Sequence, residues 1–292
     1  MTIGPAHSGA PPLPHDLLTA WNIDPLLIGG LLVVAIAHRR GARPEAEGRA
    51  RTTSFWVGWA GVVVALVSPL DAASEVLLSV HMVQHVLLVA VAAPLLAFST
   101  PGAALLRGSP RFVRRAFATG RASLGLTPTT LGRLRSPAAR WLAFVALFWL
   151  WHSSVLYGAA VESRWIHALE HVSFLGSAWL LWTAIVGPRR ARVDRGSAVL
   201  AVFLLSLQSV LLSTLMTFAR TPWYEPYADG ASGWSIDPLA DQQLAGVIMW
   251  VPSGAILTAL GLWLFVAWLR EIDAHDHDGL GSPTSRAGTS TP

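Results

Sequence analysis

Apolar residues run in seven blocks along the chain, near residues 21–38, 54–70, 78–98, 138–158, 166–186, 197–218 and 243–268, with polar stretches between them. A helix that crosses a hydrocarbon core about 30 Å thick needs about 20 mostly apolar residues. The backbone inside a bilayer must satisfy its own hydrogen bonds, so blocks of this length are predicted as helices. The expected fold is all-α: a polytopic membrane helix bundle of about seven transmembrane helices. The first block is the weakest, because Asp24-Pro25 leaves a short uninterrupted run before His38-Arg39-Arg40. The pattern divides the chain into an external N-terminal tail (1–20), a transmembrane domain (21–271) and a disordered cytoplasmic tail (272–292). Met1–Ala20 has no basic segment ahead of an apolar run, so it does not read as a signal peptide. No internal repeat of the kind found in secondary transporters stands out.

Composition agrees with this class. Of 292 residues 53% are hydrophobic and only 13% charged, whereas soluble domains carry roughly 25% charged residues. The 21 basic residues are all arginine, and they are segregated by loop. They crowd the stretches between blocks 1 and 2, 3 and 4, and 5 and 6, and the C-terminal tail. Only Arg164 and Arg220 fall in the other set of loops. This is the positive-inside pattern, and it places the N-terminus outside and the C-terminus in the cytoplasm. The sequence pI of about 10.5 therefore reports topology, and a nucleic-acid partner is not expected. The long connection 99–137 is predicted to lay a basic amphipathic helix, around Phe112–Ala118, on the inner leaflet. The acidic, aromatic stretch 219–242 is predicted to cap the bundle. With no cysteine, disulfides and thiolate metal sites are excluded.

The candidate chemistry is histidine. His81 and His85 lie in the third block, His152 in the fourth, and His167 and His171 in the fifth. Ionisable groups inside spans are costly and usually mark function. With the helix directions fixed by the arginines and a rise of 1.5 Å per residue, all five fall roughly 3 to 10 Å below the outer boundary. Two of the pairs are His-x-x-x-His, a spacing that puts both imidazoles on one helix face. A lone intramembrane histidine is more often a hydrogen-bonded packing residue than a ligand; two pairs and a fifth histidine in one layer point to a metal or haem site. Imidazole suits zinc, copper, iron and nickel. Met82 and Met249 sit in the same half of the bundle and are candidate thioether ligands, a combination that selects Cu(I), although methionine is also an ordinary core filler. Glu170, Asp71 and Asp241 are candidate partners for the imidazole N–H groups. Gln84 and Gln208 are candidates for interhelical hydrogen bonds.

Three stretches, HMVQHVLLVAVAAPLLAFSTPGAALLR, WHSSVLYGAAVESRWIHALEHVSF and DQQLAGVIMWVPSG, resemble the multispanning CtaG-type cytochrome c oxidase assembly proteins of bacteria. The resemblance runs from about residue 20 to 271. It implies a bacterial plasma-membrane protein that serves the formation of haem–copper oxidases, with oxidase subunits and an extracytoplasmic copper donor as partners beside the lipid bilayer. It implies a role in copper delivery, and matches the family at His81, Met82, His85, His152, His167, His171, Asp241, Gln242 and Met249. Where the family's pattern has proline shortly after Trp-His, this chain has Ser154. The residues alone leave three rivals open: a zinc-dependent membrane hydrolase using Asp71 or Asp241, a bis-histidine haem cytochrome, and a structural scaffold without metal.

Overall fold

The computed structural model describes residues 14–15, 17–123, 125, 136–188 and 191–280. Expectations for residues 1–13, for the connection at 126–135 and for 281–292 lie outside the described residues. Among the described residues there is no strand. The helices are α1 (Pro25–Gly41), α2 (Pro44–Glu47), α3 (Arg49–Val67), α4 (Pro69–Ser74), α5 (Leu78–Val86), α6 (Ala93–Ser99), α7 (Gly102–Gly108), α8 (Arg111–Ser123), α9 (Pro137–Trp151), α10 (Ser154–Glu162), α11 (Arg164–Ile185), α12 (Arg195–Thr217), α13 (Pro226–Gly233) and α14 (Pro238–Leu280).

Local chemistry explains where several of them start. Asp24 accepts from the amides of Leu26 and Leu27 at 2.7 and 3.2 Å, and Pro25 opens α1. Ser136 accepts from Ala139 at 3.2 Å ahead of Pro137. Asp194 accepts from the Ser197 amide at 2.8 Å, and hydrogen bonds from Ser197 hold its carboxyl below the usual range. Each follows the rule that a short polar side chain satisfies the free amides of a first turn, with proline tolerated there.

Every predicted apolar block holds a helix. Among the described residues, four stretches, Arg49–Val67, Leu78–Ser99, Arg195–Thr217 and Pro238–Asp273, are long and apolar enough to cross a membrane, and five if α9 and α10 count as one bent span. α1 is shorter, at 17 residues. α11 has 22 residues, but its first half carries Arg164, His167, Glu170 and His171.

Two expectations need amending. The block at 138–158 is not one straight helix: α9 and α10 meet at 74°. The break needs no proline. Ser153 is extended (φ −71°, ψ 135°), and side chains take up the carbonyls that the break frees. Ser153 Oγ donates to Leu150 O at 2.7 Å, and Tyr224 donates to His152 O at 2.9 Å. At the other end of the chain, α14 runs on to Leu280, into the predicted tail, with Pro252 inside it.

The helix that begins at Leu78 contains a π-helical turn, Leu87–Ala92, between α5 and α6. A wider turn leaves carbonyls poorly paired along the helix, and one of them, Val89 O, accepts from Trp182 Nε1 at 2.8 Å. That bond ties α11 to the turn directly below His85.

α12 packs on α14 at Gly246. A Cβ there would press on Thr217 Oγ1 and lie 2.8 Å from Ser213 O. Small residues permit such close helix crossings in membranes. Gly246→Val is expected to lower unfolding stability by about 1–3 kcal/mol through overpacking, read as a lower thermal midpoint of the purified chain in detergent.

Candidate metal centre

α5 is held at its start by a distant residue. Leu77, which precedes it, offers no side-chain cap. Instead Asp241, from α14, accepts from the amides of Leu78 at 2.6 Å and Ser79 at 3.3 Å, and from the Ser79 hydroxyl. Asp241 thus touches the helix that carries His81 and His85 rather than an imidazole. Asp71 braces α5 as well. Its carboxylate accepts from Asn22 Nδ2 at 2.7 Å and Gln84 Nε2 at 2.8 Å, tying the chain ahead of α1 to α5.

From these anchors α5 and α11 bring their histidines face to face. One nitrogen each of His81, His85 and His171 lie within 4.8 Å of one another. His167 flanks them, with its ring centroid 4.4 Å from His171 and 5.9 Å from His81. His152, at the α9–α10 break, stands 6.2 Å from the His85 ring. All five are buried.

Glu170 lies in the middle. It is completely buried, and neither carboxylate oxygen has a hydrogen-bond partner. Its Oε1 is 3.6 Å from His81 Nε2 and 3.5 Å from His85 Nε2. Two donors held about 2.0–2.1 Å from one tetrahedral ion stand about 3.3 Å apart, so these separations are close to those of ligands sharing a cation. A buried carboxylate with no positive charge or donor beside it is strongly disfavoured.

The hydrogen bonds also set the histidine tautomers. His152 Nδ1 lies 2.7 Å from Phe148 O. A carbonyl can only accept, so Nδ1 carries the proton and Nε2, which has no partner, presents its lone pair. Tyr227 donates its single proton to Ser74 O at 2.8 Å. Its oxygen then accepts from Tyr157 at 3.1 Å and from His81 Nδ1 at 3.3 Å. His81 Nε2 is left bare and directed at Glu170. Neither ring nitrogen of His85 has a hydrogen-bond partner. Imidazoles whose far nitrogen is tied to oxygen are the usual form of metal-bound histidine, and the donor set fits a metal ion.

Of the two methionines, one follows a cluster histidine in the chain and the other shares a cavity with two of them. Met82 is fully buried in the hydrophobic core, about 100° around α5 from His81. Met249 lines an apolar cavity together with His85 and His152.

Sequence reasoning missed the tyrosines. All three in the chain, Tyr157, Tyr224 and Tyr227, are buried around the histidines. Burial pushes the phenols of Tyr224 and Tyr227 up, so both stay protonated as donors. Their scarcity in a chain rich in tryptophan was the available signal.

Comparison with known proteins places this geometry in a family. An uncharacterized protein of Mycobacterium bovis is 26% identical over 277 residues, covering 89% of this chain and 41% of its own length. One of Mycobacterium tuberculosis matches to the same extent. An uncharacterized protein of Mycobacterium leprae is 24% identical over 292 residues, with the same coverage. The chain thus spans about two fifths of the length of these relatives. No solved structure matches. Residues 31–271, which include every histidine of the cluster, match the family described as cytochrome c oxidase caa3 assembly factor. The chain belongs to the cytochrome c oxidase caa3 assembly factor (Caa3_CtaG) family.

Proposed function

We propose that this chain is a seven-span protein of a bacterial cell membrane, N-terminus outside, that binds copper in its histidine cluster and passes it to haem–copper oxidase subunits during assembly. Copper is cargo in this reading, received from an extracytoplasmic donor, and the role is that of a chaperone and not of an enzyme. The observation that carries it is the placement of His81 Nε2 and His85 Nε2 at 3.6 and 3.5 Å from a buried carboxylate without hydrogen-bond partners. A cation among them satisfies the imidazole lone pairs and the carboxylate together. Counting α1, α11 and the bent α9–α10 pair as spans gives seven, and that count keeps the arginine-rich loops on one side.

The donor set bears on the form of the ion. Three imidazoles and a carboxylate are harder than the imidazole–thioether set expected from sequence, and favour a divalent ion over Cu(I). Zinc has the same appetite, so copper and zinc are both measured, together with the visible absorption that bound haem would give.

Purified wild type is expected to hold about one copper per chain, and a His85→Ala/His171→Ala variant less than about a tenth of that, with oxidase maturation impaired in cells carrying the variant. Absence of copper from both proteins, with normal oxidase maturation in the variant, would overturn the reading. Zinc in place of copper would move it to the metal-dependent hydrolase.

A further inference from the structure

Among the described residues, three cavities touch the histidine cluster, and they differ in size and lining. One of about 10 Å³ borders His81, His167 and Glu170. That is about the room one water needs, too little for a hydrated ion. A second of about 60 Å³ borders His85 and His152, and its remaining wall is chiefly apolar, with Phe144, Phe148, Phe174 and Trp182. Its other polar lining is Gln208, Ser209 and Ser253, with the Met249 thioether and no carboxylate, so a cation entering there would give up its hydration for neutral donors only. The third, of about 280 Å³, lies between the start of α1 and the first turns of α11. It borders His167 and His171, and also Asn22, Asp24 and Asp71.

We propose that this third cavity is the aqueous vestibule through which the metal ion reaches and leaves the cluster, with His167 and His171 as the first imidazoles it meets. The proposal rests on the reading that the cluster binds a metal. Two carboxylates in a concave site draw cations toward it. The remaining charge on its wall, Arg164, has its guanidinium 4.5 Å over the Trp165 ring. His167 and His171 are buried, whereas Trp165, Ala168 and Val172 on the same wall are exposed. Asn22, Asp24 and Arg164, at the starts of α1 and α11, line the outer end of the cavity, so it runs from that polar end to the imidazoles. The fold leaves this space because α1 makes its tightest crossing at its far end. There Gly41 and Gly108 let α1 and α7 touch so closely that a Cβ on either would strike backbone of the other. At the near end, the chain ahead of α1 is tethered through Asn22, to Val67 O at 3.0 Å and to Asp71 at 2.7 Å.

The chain has no cysteine, so a single Ala168→Cys reports on this cavity alone. In the full-length protein in lipid nanodiscs, the thiol is capped either with iodoacetamide or with a bulky, water-soluble anionic maleimide. Loading with Cu(II) ion alone is followed by quenching of tryptophan fluorescence, and unloading by a chelator in excess. We expect the maleimide to react, and the bulky cap to slow loading and unloading each at least tenfold relative to the small one, with copper per chain unchanged. A thiol that reacts only after denaturation, or equal rates with the two caps, overturns the vestibule. If the unmodified chain takes up no Cu(II), the copper reading itself fails and the vestibule with it; a chain that loads at cap-independent rates sinks the vestibule alone.

Discussion

Replacing Glu170 with glutamine is expected to weaken metal binding by on the order of 100-fold or more while making the metal-free protein harder to unfold. The two effects have opposite signs for one reason. Without a metal, Glu170 is a fully buried carboxylate whose oxygens have no hydrogen-bond partner, facing imidazole nitrogens 3.5 and 3.6 Å away. Removing an uncompensated buried charge stabilises a fold, here by about 1–3 kcal/mol after relaxation. With a metal in the cluster, the same carboxylate would be one of its donors, and an amide is a poor substitute. Loss of even an outer partner of a metal site costs 10–100-fold in affinity, and a direct donor costs more. Metal titration and thermal unfolding of metal-free wild type and Glu170→Gln decide the matter. A variant that unfolds earlier without metal and binds normally would show that Glu170 is a packing residue.

The second large effect is expected at Asp241, which no measurement on the histidines would reveal. Asp241→Ala leaves the amides of Leu78 and Ser79 and the Ser79 hydroxyl without their acceptor inside the protein. Each orphaned buried group costs about 1–3 kcal/mol, so with three of them a total of at least about 3 kcal/mol is expected. The first turn of α5 holds His81, so copper retention should fall together with stability. Asp241→Asn keeps one acceptor oxygen and should fall between the two. Unfolding midpoints of the three proteins in detergent, with copper per chain measured alongside, check this. A fall in stability with full copper retention would separate the cap from the metal site.

Hydropathy made the helices legible, because burial in lipid acts on each block of the chain independently of its neighbours. The arginines ordered those helices, since loop charge is also a local property. The meeting of His81, His85 and His171 was legible at one remove: helix direction gave depth, and the four-residue spacing gave the face. What depended on contacts between distant residues was not. Asp241 read as a partner for imidazole, and only the fold shows it reaching Leu78. The break at His152 was hidden because serines and Tyr224 supply what proline supplies elsewhere. Glu170 was placed among outer partners because sequence cannot say which of two neighbouring side chains on a helix will lie between two histidines. The methionines were placed by depth, and depth says nothing of azimuth: Met82 lies about 100° around the helix from His81, while Met249 shares a cavity with His85 and His152.

The π turn at Leu87–Ala92 has a consequence for how this protein can change over generations. A π turn takes one extra residue into a wider loop of helix, so the parts before and after it keep nearly the same rotational phase. Here the part before carries His81 and His85, and the turn itself is latched to α11 by the bond from Trp182 to Val89. Exchanging one apolar side chain for another in these six positions leaves both the phase and the latch intact. Losing one residue would return the helix to regular winding with the facing of both histidines nearly kept, but would draw Val89 O back into the helix ladder and away from Trp182. Along this stretch a change of length is felt first at the latch to α11, and only then at the histidines.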